Sequence, residues 1–434
     1  MKILKNGIQA FSLFIMKYYI KLKPVFMWIR PETRSKIKVR LLSPIFQLLY
    51  PYQKPDFHAK GLIQGVNFIG YPNADIGEGE FLRQAATALL KTDIKFGIFD
   101  YSLRVQLSQK DMRLASFVRK ENPYSINIFH LKPDQVMSSI VTLGQPFIQN
   151  RYNIGYWLWE LSRFPDSWLR TLGFMNEIWC PSRFIQKAIA EKSSQPILYM
   201  PPAIEVNDPK DYGRDYFKLP TFSFIFLFVF DFKSYFSRKN PIDSIRAFKK
   251  AFPVGDEKVC LVIKSMDGDK YPKELARLRR EAEADPRILL IDKIFSFDEL
   301  LGLIKACDSF ISLHRSEGIG LCLAQSMLLG KPVIATNYSG NTDFTLPDNA
   351  CLVDYKLIQV KRGEYPLGED QLWAQPDVAH AANYMCKLVK DSRYRDTIAK
   401  AGQVYIRTYH NSQAVGKIYR DRLEKLFSQV DRDI

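Results

Sequence analysis

The stretch from Phe222 to Phe230 contains one polar residue, Ser223, and otherwise only Phe, Ile, Leu and Val. A run of this length with no polar face suits a strand buried on both sides, which happens where helices cover both faces of a parallel sheet. The surroundings agree. From Val66 onward short apolar runs alternate with amphipathic stretches, the pattern of an α/β protein. Strands are expected at 66–70, 95–99, 125–130, 152–157 and 177–180, with helices at 81–91, 168–174 and 184–192, the last capped by Ser182. A second series has strands at 222–230, 259–264, 288–291, 309–313, 333–335 and 351–353. Helices at 241–251, 272–283, 298–307 and 321–329 intervene, and 378–389, 393–409 and 412–429 complete the chain. Met200-Pro201-Pro202 and the polar, Gly-containing stretch 208–215 separate the two series. Two α/β domains with a cleft between them follow, and ligands of such sheets bind at the carboxyl ends of the strands.

A chain of 434 residues is long enough for two or three such cores. Its net charge of +16 is unevenly spread: residues 1–54 hold eleven Lys/Arg against one acid, Glu32. Leu4, Ile8, Phe11, Ile15 and Tyr19 recur there at helical spacing, flanked by Lys2, Lys5, Lys17 and Lys21. This basic amphipathic arm, taken as residues 1–57, suits an anionic membrane surface. It equally suits a helix packed on the protein's own body. Its uncharged run, 6–16, is too short to span a bilayer, and no small-residue cleavage site follows it. The body lacks a comparable basic stripe, which argues against nucleic acid as a partner. The six cysteines are scattered and sit in apolar runs, the signature of free thiols in a reducing compartment, so a cytoplasmic location is expected, peripheral on the inner membrane face if the arm binds lipid. The five histidines are dispersed and form no metal-ligand cluster.

The chemistry concentrates between Ser316 and Gly340. Glu317-Gly318-Ile319-Gly320-Leu321 opens a helix that ends at Gly330-Lys331-Pro332, before the strand Val333-Ile334-Ala335. Gly318 and Gly320 allow an anionic group to approach the backbone, and the helix start attracts negative charge. The same glycines can also serve only the turn. A carboxylate beside such a site is electrostatically awkward unless it holds sugar hydroxyls next to a bound diphosphate. Arg238 and Lys239 lie at the strand-to-helix turn before Asn240-Pro241, where a dibasic pair is either a solvated surface feature or a source of cations for an anionic ligand.

These segments resemble the donor-binding signature of retaining, family-four-type glycosyltransferases of the GT-B fold, over about residues 60–430. The resemblance implies two Rossmann-like domains facing across a cleft: an acceptor domain at 58–205, a nucleotide-sugar domain at 206–410, and a helix at 411–434 that packs back on the first domain. It implies Glu317, Arg238 and Lys239 as catalytic residues. Donor binding then falls to Gly318, Ile319, Gly320, Leu321, Gln325, Lys233 and Phe295, with Gly77 and Gly79 in the first domain's Asp75-Ile76-Gly77-Glu78-Gly79-Glu80 turn. The family's usual second Glu, which meets the nucleotide ribose, is Gln325 here; an amide still donates to and accepts from a diol, without charge assistance. Asn240 stands where the family has Gly.

On the acceptor side, His130 ends a strand, where it can face the cleft or serve as a structural imidazole. Tyr156-Trp157-Leu158-Trp159-Glu160-Leu161 is similar to the Trp-x-Trp-Glu-Leu motif of bacterial polysaccharide and lipopolysaccharide glycosyltransferases, with Glu160 where many relatives place a His. Trp159 and Glu160 are therefore acceptor-side candidates. The implied activity is hexosyl transfer, of mannose among other sugars, from a nucleotide-diphosphate sugar to a saccharide or lipid-linked acceptor, with no metal or other cofactor. A catalytically weakened scaffold or sugar-binding subunit is the alternative.

Overall fold

The computed structural model describes residues 61–102, 109–206, 210, 212–255, 257–283 and 285–430. The amphipathic arm at 1–57 and part of the inter-domain stretch at 208–215 lie outside the described residues.

The first domain is a seven-stranded sheet in the order β3-β2-β1-β4-β5-β6-β7. Its strands are β1 (Ile63–Gly70), β2 (Phe96–Asp100), β3 (Val118–Arg119), β4 (Tyr124–Phe129), β5 (Tyr152–Tyr156), β6 (Glu177–Cys180) and β7 (Ile197–Tyr199), all pairing in parallel. Three asparagines fix the register. The amide of Asn67 donates to Asn127 Oδ1 at 3.0 Å, and that of Asn127 to Asn153 Oδ1 at 2.9 Å. These buried amides satisfy one another across β1, β4 and β5, so a slip of one residue would strand all three.

The second domain is a six-stranded sheet in the order β10-β9-β8-β11-β12-β13. It comprises β8 (Phe224–Val229), β9 (Val259–Ser265), β10 (Ile288–Asp292), β11 (Ser309–Ser312), β12 (Val333–Thr336) and β13 (Cys351–Val353), again parallel throughout. Ile225 to Phe228 are buried, as expected of the apolar run, but the strand begins two residues late. Phe222 is 87% exposed. The six cysteines are free thiols, four of them buried.

In each sheet the strand order reverses once, between β1 and β4 and between β8 and β11. Chain ends on either side of such a reversal diverge and leave a crevice. Helix α1 (Gly77–Leu89) follows β1, and α2 (Pro133–Leu143) follows β4 after Lys132. In the second domain the loop 231–240 follows β8, and the loop 313–320 leads from β11 into α3 (Leu321–Leu328). The two reversal points meet across one cleft.

Two elements tie the domains together. The last helix, α4 (Ser412–Val430), lies on α1 so closely that a Cβ at Gly416 would sit 2.3 Å from the Ala88 carbonyl oxygen. Tyr419 in α4 donates to Pro201 O at 2.8 Å, and Arg422 pairs with the fully buried Glu177. The other tie is an antiparallel hairpin, β14 (Tyr355–Gln359) and β15 (Leu372–Pro376), which sequence patterning did not reveal. Val360, Tyr365 and Trp373 from it are buried in the same apolar cluster as Trp157, Trp159 and Trp168 of the first domain. Among the described residues no helix is long and apolar enough to cross a membrane.

Candidate active site

Glu317 sits at the centre of the cleft. Its carboxylate is 3.3 Å from Arg238 Nη1 and accepts a close hydrogen bond from Lys239 Nζ. Arg238 is itself 4% exposed, held by Ser316 O at 2.8 Å and Ser234 O at 3.1 Å. Burial alone would raise the Glu317 pKa; the adjacent Lys239 and Arg238 outweigh it and bring it down to about 2. The carboxylate is therefore ionised at any physiological pH. Burial, the largest single effect, works against the charged form of Arg238 too, but Glu317, Glu160 and Tyr365 together outweigh it and raise its pKa.

The backbone around this triad is unusual for reasons that can be named. Asn240 follows Lys239 with φ of +56°, a left-handed conformation that Asn tolerates better than most side chains. Its amide also donates to Leu313 O at 2.8 Å and Asp243 Oδ2 at 2.8 Å. Asn240 therefore does what a glycine would do there, and adds a clamp onto the strand carrying the Glu317 loop. Gly320 caps α3 at φ of +88°, leaving the amides that lead into the helix facing the cleft. Ser339 (φ +75°) accepts from the Glu317 amide at 2.8 Å, and the Gly340 amide donates to Glu317 O at 2.9 Å. Loop 339–340 thus holds loop 316–320 from behind.

Three connected cavities run along the cleft. A central one of about 310 Å³ is lined by Glu317, Gly318, Ile319, Gly320, Leu321, Arg238, Lys239, Lys233 and Gly77. A second, about 200 Å³, shares Gly77, Lys239 and Leu321 with it and ends at Phe295 and Gln325. A third, about 300 Å³, extends the other way to Trp159 and Glu160. Twelve other residues expected in the site therefore share one groove with Glu317: Gly318 to Leu321, Gln325, Lys233, Phe295, Gly77, Trp159, Glu160, Arg238 and Lys239. The Ile319 side chain is itself packed in the apolar core. Lys233 is ion-paired with Asp267. Glu160 is buttressed by the Tyr365 hydroxyl, and its carbonyl by Ser316.

Two expected residues are placed elsewhere. Gly79 lies on the packed side of α1, where a Cβ would fall 2.4 Å from Ala74 O; its glycine serves packing, not a ligand. His130 is 4% exposed and wedged among Phe68, Phe81 and Tyr156 at centroid distances of 5.4, 5.0 and 4.8 Å. Burial pushes its pKa down to about 3, so the ring is neutral, and neither nitrogen has a hydrogen-bond partner among the described residues. It stands behind Phe81, which forms the cleft wall.

The neighbouring Lys132 takes the cleft-facing place instead. It caps α2 and pairs with Glu78 at 2.8 Å, and that carboxylate, ahead of the opposing effect of burial, raises its pKa. A lysine directly after a strand and before Pro133 was a readable signal. Tyr365 was not readable, because it arrives from the hairpin. Tyr235, at φ of +67°, completes the wall shared by the central and acceptor-side cavities.

Residues 225–359 match the family model described as glycosyl transferases group 1. HepE of Anabaena, solved in complex with UDP and glucose, is similar with a TM-score of 0.60 at 17% identity, over 84% of this chain and the whole of HepE. Sucrose-phosphate synthase from Thermosynechococcus elongatus gives 0.61 at 15% identity, over 85% of this chain and all of that one. A glycosyltransferase from Rickettsia africae gives 0.61 at 12%, over 84% and 99%. Comparison with curated protein sequences gives no match. The protein has the GT-B fold, two Rossmann-like domains facing across a cleft, and the segment that matches the group 1 glycosyl transferase model lies in its second domain.

Proposed function

We propose that this protein is a retaining glycosyltransferase that moves a hexose from a nucleotide-diphosphate sugar to a saccharide acceptor in bacterial surface polysaccharide or lipopolysaccharide synthesis. The observation that carries the reading is the ionised Glu317 between Arg238 and Lys239, beside the amide-lined start of α3. HepE, of the same fold, is solved with UDP-glucose, which makes UDP-sugars the first donors to try.

Charge builds on the diphosphate as the glycosidic bond breaks. Arg238, Lys239 and the α3 amides are positioned to stabilise it, supplying the positive charge that a metal supplies in other transferases. Glu317 holds sugar hydroxyls through charge-assisted hydrogen bonds. A donor phosphate oxygen takes the proton of the incoming acceptor hydroxyl, which adds to the face the diphosphate leaves. No protein nucleophile is required. The acceptor lies toward Trp159 and Glu160.

Incubation of the purified protein with a panel of nucleotide sugars, read by mass spectrometry, should show one being consumed or hydrolysed. A donor that binds by calorimetry without turnover would support a sugar-binding scaffold, which the neutral Gln325 favours. No binding at all would refute the transferase reading. The excess of cations in residues 1–54 supports action at an anionic membrane surface. The full chain should float with liposomes containing anionic lipid, and a chain lacking 1–54 should not; equal behaviour of the two ends that part of the reading.

A further inference from the structure

Lys264 is the feature the proposed chemistry leaves unused. It closes the row Cys260, Val262, Lys264 along one face of β9, where the alternation calls for an apolar residue. It is 4% exposed, and its burial lowers its pKa. Its ammonium has no hydrogen-bond or ion-pair partner among the described residues, apart from the face of Phe295 at 5.2 Å. The acids around it are engaged elsewhere. Asp231 accepts from the Lys233 amide at 2.8 Å, Asp292 from Ser265 Oγ at 2.8 Å and Gly268 N at 3.1 Å, and Glu299 from Ser296 N and Tyr216 OH, both at 2.8 Å. A buried cation without a partner is costly, and it is tolerated where a ligand completes it.

The groove says which part of a ligand that is. Glu317 and Arg238 line the central cavity alone; Lys239, Gly77 and Leu321 line both it and its neighbour; Lys264, Phe295 and Gln325 line only the neighbour. If the sugar lies at Glu317 and the diphosphate at Lys239, the nucleoside lies at Lys264. Within that reading of the site, we infer that Lys264 is a specificity-determining residue for the nucleoside half of the donor, donating to an acceptor oxygen of the base or ribose while Phe295 covers the ring and Gln325 meets the diol. The neutral Gln325 fits this arrangement: it lines the same cavity as Lys264 and adds no charge that would neutralise it.

The test is Lys264→Met, which keeps an unbranched apolar stem and removes the ammonium group. UDP and GDP are titrated into the full-length wild type, and the tighter binder is carried forward. The variant should bind that nucleotide roughly tenfold or more weakly. Competition by the matching nucleoside should weaken by the same factor, and competition by inorganic pyrophosphate should be unchanged. The ligand-free variant should unfold at the wild-type temperature or above it, since an unsatisfied buried charge has gone. Unchanged nucleotide affinity overturns the inference. So does weakening shared with pyrophosphate, or a ligand-free protein that melts lower, which would mark Lys264 as structural. If the wild type binds neither of these, ADP, CDP and dTDP are titrated in their place, and a wild type that binds none of the five ends the transferase reading and this one with it.

Discussion

Glu317→Gln is expected to abolish most donor-sugar turnover while leaving the binding of free nucleoside diphosphate intact or tighter. The amide keeps the shape of the carboxylate, so what is lost is its charge. Loss of one charged contact made in the transition state costs about 10²–10³ in rate. Arg238 and Lys239, no longer neutralised internally, remain free to grip the diphosphate. The same change leaves Arg238, at 4% exposure, without its carboxylate. Breaking a buried pair from one side costs about 3–5 kcal/mol, so the unfolding temperature should fall as well. Release of nucleoside diphosphate from the preferred donor, measured well below the melting temperature, is the assay. Turnover within a few-fold of the wild type would remove Glu317 from the chemistry.

The pH dependence of that variant is a separate check. In the folded protein the Glu317 pKa is about 2, against an ordinary value of 4.5, because Lys239 and Arg238 outweigh the effect of burial. A depressed carboxylate pKa adds stability that is fully present above the ordinary value and is lost as pH falls toward the folded one. The shift corresponds to on the order of 3 kcal/mol. The difference in unfolding free energy between wild type and Glu317→Gln should therefore be flat above about pH 5 and shrink between 4.5 and 2. A difference that stays constant down to pH 2 would mean the carboxylate is not held by these cations.

What the sequence revealed and what it concealed divide along physical lines. The parallel sheets were readable because doubly covered strands demand unbroken apolar runs, as at Phe224 to Phe230 and Val259 to Ile263. That Glu317, Arg238 and Lys239 meet was readable because each lies in a loop between the end of a strand and the start of the next long helix, where chain order fixes which end of the sheet it occupies. The hairpin at 355–376 was not. Its first strand is largely exposed, so its side chains alternate without an apolar face, and the apolar cluster that buries Val360, Tyr365 and Trp373 is built mostly by the other domain. Tyr365 and its hold on Glu160 were lost with it. His130 failed for the opposite reason: the strand end was correct, but whether a side chain there points into the cleft or behind its wall depends on Phe81, which arrives from α1. Lys264 was read as the last residue of a strand, and nothing in the sequence says whether a neighbour neutralises it.

The other large effect is expected from a residue with no side chain. A Cβ on Gly340 would lie 2.0 Å from the Gly318 carbonyl oxygen and 3.0 Å from that of Glu317. Both are backbone atoms in a loop already pinned by the hydrogen bonds from Gly340 N to Glu317 O and from Glu317 N to Ser339 Oγ. Gly340→Ala must therefore push loop 316–320 away by an ångström or more, and the Glu317 carboxylate moves with it. Overpacking of this kind costs about 1–3 kcal/mol, and more where the opposing atoms are backbone. A misplacement of about 1 Å at a reacting centre can cost about 10²-fold in rate. Gly340→Ala should thus lower both the unfolding temperature and donor turnover, the latter about a hundredfold. Gly77→Ala is the matched control. It lies in the same groove, but its Cβ would meet nothing within 4 Å, so its unfolding temperature should stay at the wild-type value. If Gly340→Ala melts and turns over like the wild type, loop 339–340 is not what holds Glu317 in place, and the geometry assigned to the donor sugar loses its support.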